Sequence, residues 1–218
     1  MTDLDPTELP PAMQLALAYA PRTARNVHLA LFALDTRLAQ VVGRGSEPIV
    51  AQLKLAWWRD RFAEDRCQWP VGEPLLASLA TWDADVSHLG RTVDGWEGLL
   101  SEDPLAAPVV TEFVEGRAQV WALASEAIGA GTESSKVQQA ARQWAVADLA
   151  GNLHDASEKA EAIRSIRDLS LDPVVMPRAL RPMAVLAAMG RRSLKRERPM
   201  MDGGRALFNA MRVGILGR

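Results

Sequence analysis

Four carboxylates stand where they could do chemistry: Asp35, Asp60, Asp155 and Glu158. Asp35 lies within ALFALDTRLAQVVG (30–43), where nearly every neighbour favours a helix and most are apolar. Asp155 and Glu158 are three residues apart, a spacing that puts two acids on one face of a helix. There they can hold one weakly bound cation, or simply face water. Asp60 follows Arg59 at the end of an apolar helix face. The histidines, His28, His88 and His154, are scattered and show no metal-ligand spacing. His28 reads as a partnered, half-buried side chain. Cys67 is the single cysteine, so neither an intrachain disulfide nor a cysteine zinc site can form, and it reads as a small buried or half-buried apolar group. No nucleophile elbow, phosphate loop or glycine-rich dinucleotide fingerprint is present.

The elements that must position these groups are helical. Ala and Leu abound, β-branched residues are sparse, and no segment alternates convincingly with period two. Pro10-Pro11 closes a flexible start, residues 1–11, and a helix is expected from about Ala12 to Ala20. Pro21 is expected to open the next, from about Arg22 to Val42, with Val27, Leu31, Leu34, Leu38 and Val41 along one face. Gly43 and Gly45 stop it, and Ser46 can cap the third helix, PIVAQLKLAWWRDRFAED. Two stripes run along that helix, Ile49–Leu53–Trp57 and Leu55–Trp58–Phe62, a face wide enough for burial on two sides. Further helices are expected at 74–82, 84–100, from SEDP (101–104) to about Ile128, at 133–156, 157–168, 178–196 and 204–213. LSLDPVVMP reads as extended or loop. The expectation is an all-α, single-domain bundle of about eight helices over 12–218.

Charge is unevenly spread. From Arg178 to Arg218 there are ten Lys and Arg against two acids, so this segment carries +8 and the rest of the chain about −10, within a net charge of −2. A basic tail on an acidic body fits a contact with something anionic, or a tail folded back on that body. With no aromatic interleaving beyond Phe208, nucleic acid is not the expected partner. The acidic start MTDLDPTELPP lacks the features of a signal peptide, and no apolar run approaches the roughly 18 residues of a membrane span. A cytoplasmic location, or one peripheral to the inner membrane, is expected. The seven tryptophans read chiefly as core, although a lipid or prenyl pocket would use the same residues.

The pairing of ALFALDTRLAQVV with SEPIVAQLKLAWWRD resembles the squalene/phytoene synthase family. Ala30-Leu31-Phe32-Ala33-Leu34 matches that family's "ALYAF" stretch, and Leu55, Trp58 and Arg59 its "L..WR". DGWEGLL (94–100), FVEGRAQVWALASEAIG (113–129) and ADLAGNLHDASEK (147–159) extend the likeness over roughly residues 12 to 160. The resemblance implies the isoprenoid synthase fold and a diphosphate region holding Arg22, Arg25, Asp35, Arg59, Asp60 and His154. It implies that Mg²⁺ is held by carboxylates on two facing helices to neutralise a departing diphosphate.

In that register the first aspartate motif falls on Ala39, Gln40 and Gly43, none of them acidic. The second keeps Asp155 and Glu158, the weak metal candidates, and ends on Lys159. The expectation is therefore a relative without Mg²⁺-dependent prenyl diphosphate chemistry and without a cofactor. It would act by binding an isoprenoid or other lipid-like ligand, a membrane surface or a protein partner, as family relatives that assist assembly of respiratory complex I do. The alternatives are an active prenyl transferase with Mg²⁺ at a variant acidic site, and an adaptor bundle with no pocket. In the transferase alternative Asp35, Asp60, Asp155 and Glu158 would stand in for the usual acids; otherwise Asp35 is expected to be an ion-pair partner, with Arg59 or an arginine of the first helices.

Overall fold

The structure is a computed structural model and describes residues 4–43, 47–100, 105–153, 155–164, 169–201 and 210–215. The described residues are helical and contain no strand. The helices are α1 (Pro11–Leu17), α2 (Arg22–Val42), α3 (Pro48–Ala63), α4 (Pro74–Leu79), α5 (Gly90–Gly98), α6 (Ala107–Ala127), α7 (Ser134–Asn152), α8 (Ala156–Arg164) and α9 (Arg181–Arg196). Residues 210–215 form a further helical turn. The expected capping by Ser46, the helix start at SEDP and the stretches 165–168 and 204–209 lie outside the described residues.

The packing makes a closed circuit: α2 on α3, α3 on α5, α5 on α6, α6 on α7, α7 on α9, α9 on α1, and α1 back on α2. α2 also touches α5 and α6 across the circuit, which puts its apolar face in the centre. Ala30, Leu31, Leu34, Leu38 and Val41 are all buried there, as their spacing predicts. Pro21 does not open α2 from within. It stands one residue earlier, as the N-cap in extended conformation, with φ −65° and ψ 152°.

Two pairs of helices approach very closely because glycine faces backbone. A Cβ on Gly95 of α5 would lie 2.8 Å from Cα of Phe113, and one on Gly116 of α6 would lie 2.6 Å from the Arg91 carbonyl oxygen. Gly190 of α9 meets the Gln143 carbonyl in the same way. Beyond the end of α6 the chain turns at Gly129, whose φ of +78° a side chain would oppose.

The expected helix 133–156 stops at Asn152, and α8 starts separately at Ala156. LSLDPVVMP is non-helical, as expected, and is clamped by Gln143. The amide Nε2 of Gln143 donates to the carbonyls of Ser170 (2.8 Å) and Asp172 (3.0 Å).

Six of the seven tryptophans are buried, in agreement with the core reading; Trp57 is 38% exposed. Ile49 (72%) and Leu53 (66%) are exposed with it. The expectation of burial on two sides is therefore corrected. Of the two stripes only Leu55–Trp58–Phe62 faces the bundle, and Ile49–Leu53–Trp57 has no covering element among the described residues. Periodicity marks a face as apolar but does not supply its partner. Cys67 is also exposed, not buried, because it sits in a short turn between α3 and α4.

Candidate functional site

The centre of the bundle is organised by a residue that the sequence reading passed over. Arg117 lies on the apolar stripe of α6, one turn after Phe113 and one before Trp121, and its side chain is 2% exposed. Its guanidinium donates through Nη2 to Asp35 Oδ2 of α2 and, at 2.9 Å, through Nη1 to Asp148 Oδ2 of α7. The rings of Trp96 and Phe113 flank it, with centroids 5.4 Å and 5.0 Å from Cζ. These two rings meet edge to face at 4.9 Å. One cation thus ties three helices together, and the glycine contacts of α5 with α6 set how near the rings come.

The electrostatics follow from burial. Burial pushes the Asp35 carboxyl above the usual range; Arg117 opposes that, and the neighbouring Asp148 adds to it. For Arg117, burial acts to weaken the proton's hold, but Asp35 and Asp148 overcome it and the pKa is raised. Asp35 is therefore an ion-pair partner, as expected, but of Arg117 and not of Arg59 or the first arginines. The signal was available: Arg117 and Asp148 are charged residues on otherwise apolar helical stripes, Asp148 one turn after Trp144.

The cavity here, lined by Leu31, Leu34, Asp35, Thr92, Arg117, Val120 and Trp121, measures about 10 Å³. That is about the room of one water molecule. An isoprenoid chain does not fit within it.

The other candidate residues do not converge on this centre. Arg59 is engaged by α5, donating through Nε to Asp94 Oδ1 at 2.7 Å and through Nη2 to Glu97 Oε2. Asp60 is exposed and makes no ion pair among the described residues. Arg25 donates to the Leu17 carbonyl at 2.9 Å, fastening α2 to the end of α1, and Arg22 is exposed. His154 lies outside the described residues.

Asp155 and Glu158 are not a pair on one helix face, which corrects that reading. Asp155 precedes α8, and its Oδ1 accepts from the backbone N–H of Ser157 (2.8 Å) and Glu158 (3.0 Å) and from the Ser157 hydroxyl. The Ser157 hydroxyl, then these backbone amides, hold its pKa below the usual carboxylate range. It is a helix cap, with its charge directed at the helix start. Among the described residues no three His, Cys, Asp or Glu side chains gather as a metal ion needs. His28 is fully buried; its Nδ1 bonds the Ala24 carbonyl at 2.9 Å, and burial lowers its pKa to about 4.

The fold and its centre define an all-helical bundle closed around a buried ion triad. No protein-family model, no curated protein and no solved structure matches this chain.

Proposed function

We propose that this chain is a non-catalytic, squalene/phytoene synthase-like bundle that works by binding at its outer surface. The observation that carries this reading is the closed centre. Where a prenyl synthase would need facing carboxylates and room for a chain, Arg117 bridges Asp35 and Asp148, and about 10 Å³ remains. A carboxylate committed to a buried guanidinium is a poor magnesium ligand, because releasing it would strand the cation without a partner. Of the binding modes expected from the sequence, a lipid held inside the bundle is therefore the least favoured, and contact with a membrane surface or a protein is favoured. No helix among the described residues is long and apolar enough to cross a membrane.

The test is an assay of diphosphate release from farnesyl and geranylgeranyl diphosphate, with and without Mg²⁺. No release is expected. Mg²⁺-dependent release that Asp155→Ala abolishes would overturn the reading and establish the variant-site transferase.

A further inference from the structure

Among the described residues ten large hydrophobic side chains are exposed, and four of them, Ile49, Val50, Leu53 and Trp57, stand on α3. The other six are divided among five separate segments. Turning about 100° per residue, the helix sets Ile49, Leu53 and Trp57 within about 40° of one line, with Val50 beside them. The exposed ring of Trp57 is braced: it meets Trp58 edge to face at 4.9 Å, and Arg61 Cζ lies 5.8 Å from its centroid. Together the four side chains expose on the order of 400–500 Å² of apolar surface, and a contiguous patch of that size marks an interaction site where scattered residues do not.

The pattern of the stripe fits a second copy of the same stripe. A two-fold interface must be its own complement, so that if residue i of one copy meets residue j of the other, j also meets i. The stripe is symmetric about Leu53, with one bulky side chain four residues before it and another four after. Two copies crossed antiparallel at Leu53 therefore set Ile49 against Trp57 of the second copy, and Leu53 against itself. Ridges of four-residue spacing are the ones that helices most often interlock. The same crossing pairs charges. Glu47 and Arg61 lie on one flank of the stripe, at its opposite ends, and in an antiparallel pair equal flanks face each other. Glu47 is exposed and makes no ion pair among the described residues. Arg61 donates to Glu64 through Nη2, which leaves Nη1 for Glu47 of the second copy.

From this self-complementarity we propose that α3 is the interface of a two-fold homodimer, in which two copies cross antiparallel at Leu53. Lys54, exposed on the flank of Glu47 and Arg61, lays its stem along Val50 of the second copy and keeps its ammonium in water. Asp60, exposed in line with the stripe just beyond Trp57, disfavours an acyl phase and is left hydrated at the edge of a protein contact. With the flanking residues the two copies bury about 1,200 Å², the lower bound for a stable interface, so the dimer is reversible and forms in the micromolar range. The inference stands apart from the surface-binding reading. Prenyl turnover would overturn that reading and leave the association untouched.

The test is sedimentation velocity of the full chain over a concentration series of about 1–100 μM, where a shift from monomer to dimer is expected. Leu53 is exposed, so Leu53→Asp should fold unchanged by circular dichroism, and its association should be about 100-fold weaker. Glu47→Arg should weaken association about tenfold. A second measurement fixes the register. In a Cys67→Ser background, Leu53→Cys should form an intermolecular disulfide with itself under mild oxidation, and the exposed loop variant Val71→Cys should do so much more slowly. A chain that stays monomeric at every concentration would overturn the proposal, and co-sedimentation with phosphatidylcholine vesicles lost in Leu53→Asp would then make a bilayer the occupant. A dimer indifferent to Leu53→Asp, or cross-linking at position 71 as fast as at position 53, would overturn it as well.

Discussion

Arg117 and Arg191 are the same side chain put to opposite uses. Arg117 is enclosed, with its two terminal nitrogens on carboxylates and the rings of Trp96 and Phe113 packed together against it. Arg191 is half-buried, with the charge of Arg212 acting against it and that of Asp172 answering it. The first arrangement commits both terminal nitrogens of the guanidinium to carboxylates and leaves only the buried Nε without a partner. The second leaves positive charge turned outward. In this molecule the interior polar groups serve structure, and the charge available for binding lies at the rim.

The sharpest way to break that comparison is to remove each cation in turn. Arg117→Met leaves the partly buried Asp35 and Asp148 side by side without their cation and is expected to lose about 3 kcal/mol, read from the urea unfolding midpoint. Asp35→Leu/Arg117→Met/Asp148→Leu should recover most of that stability, because no charge is stranded. A harmless Arg117→Met would mean that the centre is no more closed than the rim.

The next effect concerns pH. His28 is held neutral in the fold, with a pKa of about 4 against an ordinary value near 6.5. The unfolded chain takes up the proton first, so the stability from neutral His28 is full above pH 6.5 and is lost as pH falls towards 4. About 3 kcal/mol should disappear across that window, and His28→Leu should flatten the slope there. A wild-type slope no steeper than that of the variant would refute the burial argument. Smaller again, Gly116→Ala drives a Cβ to 2.6 Å from the Arg91 carbonyl and should lower stability by about 1–3 kcal/mol. The smallest change belongs to the rim. Lys195→Gln should leave thermal stability within about 0.5 kcal/mol of the parent, since relieved repulsion and lost helix-end attraction nearly cancel.

Much of this architecture is legible from residue spacing. The face of α2, the ends of α7 and α9 to within a few residues, and the burial of most tryptophans follow from apolar periodicity and helix breakers. The centre was less accessible. A search for acids that bind metal draws attention to Asp155, whose neighbour Ser157 instead makes it a cap. It passes over Arg117, which signals itself only as a charge on an apolar stripe and acquires meaning when α2 and α7 bring their carboxylates to it. The α3 stripe failed for a related reason: what covers a face depends on tertiary packing, which periodicity does not contain.

The contact of α1 with α9 joins the two ends of the chain, and it imposes an order on synthesis. About 160 residues separate the two helices. At about 5–20 residues per second, α1 leaves the ribosome roughly 10–30 s before its partner is made. During that interval the side of α1 that meets α9 is uncovered, while the side that meets α2 can already close. The nascent chain therefore carries an adhesive start until its last quarter emerges, and chains truncated before α9 should be substrates for chaperones and proteases.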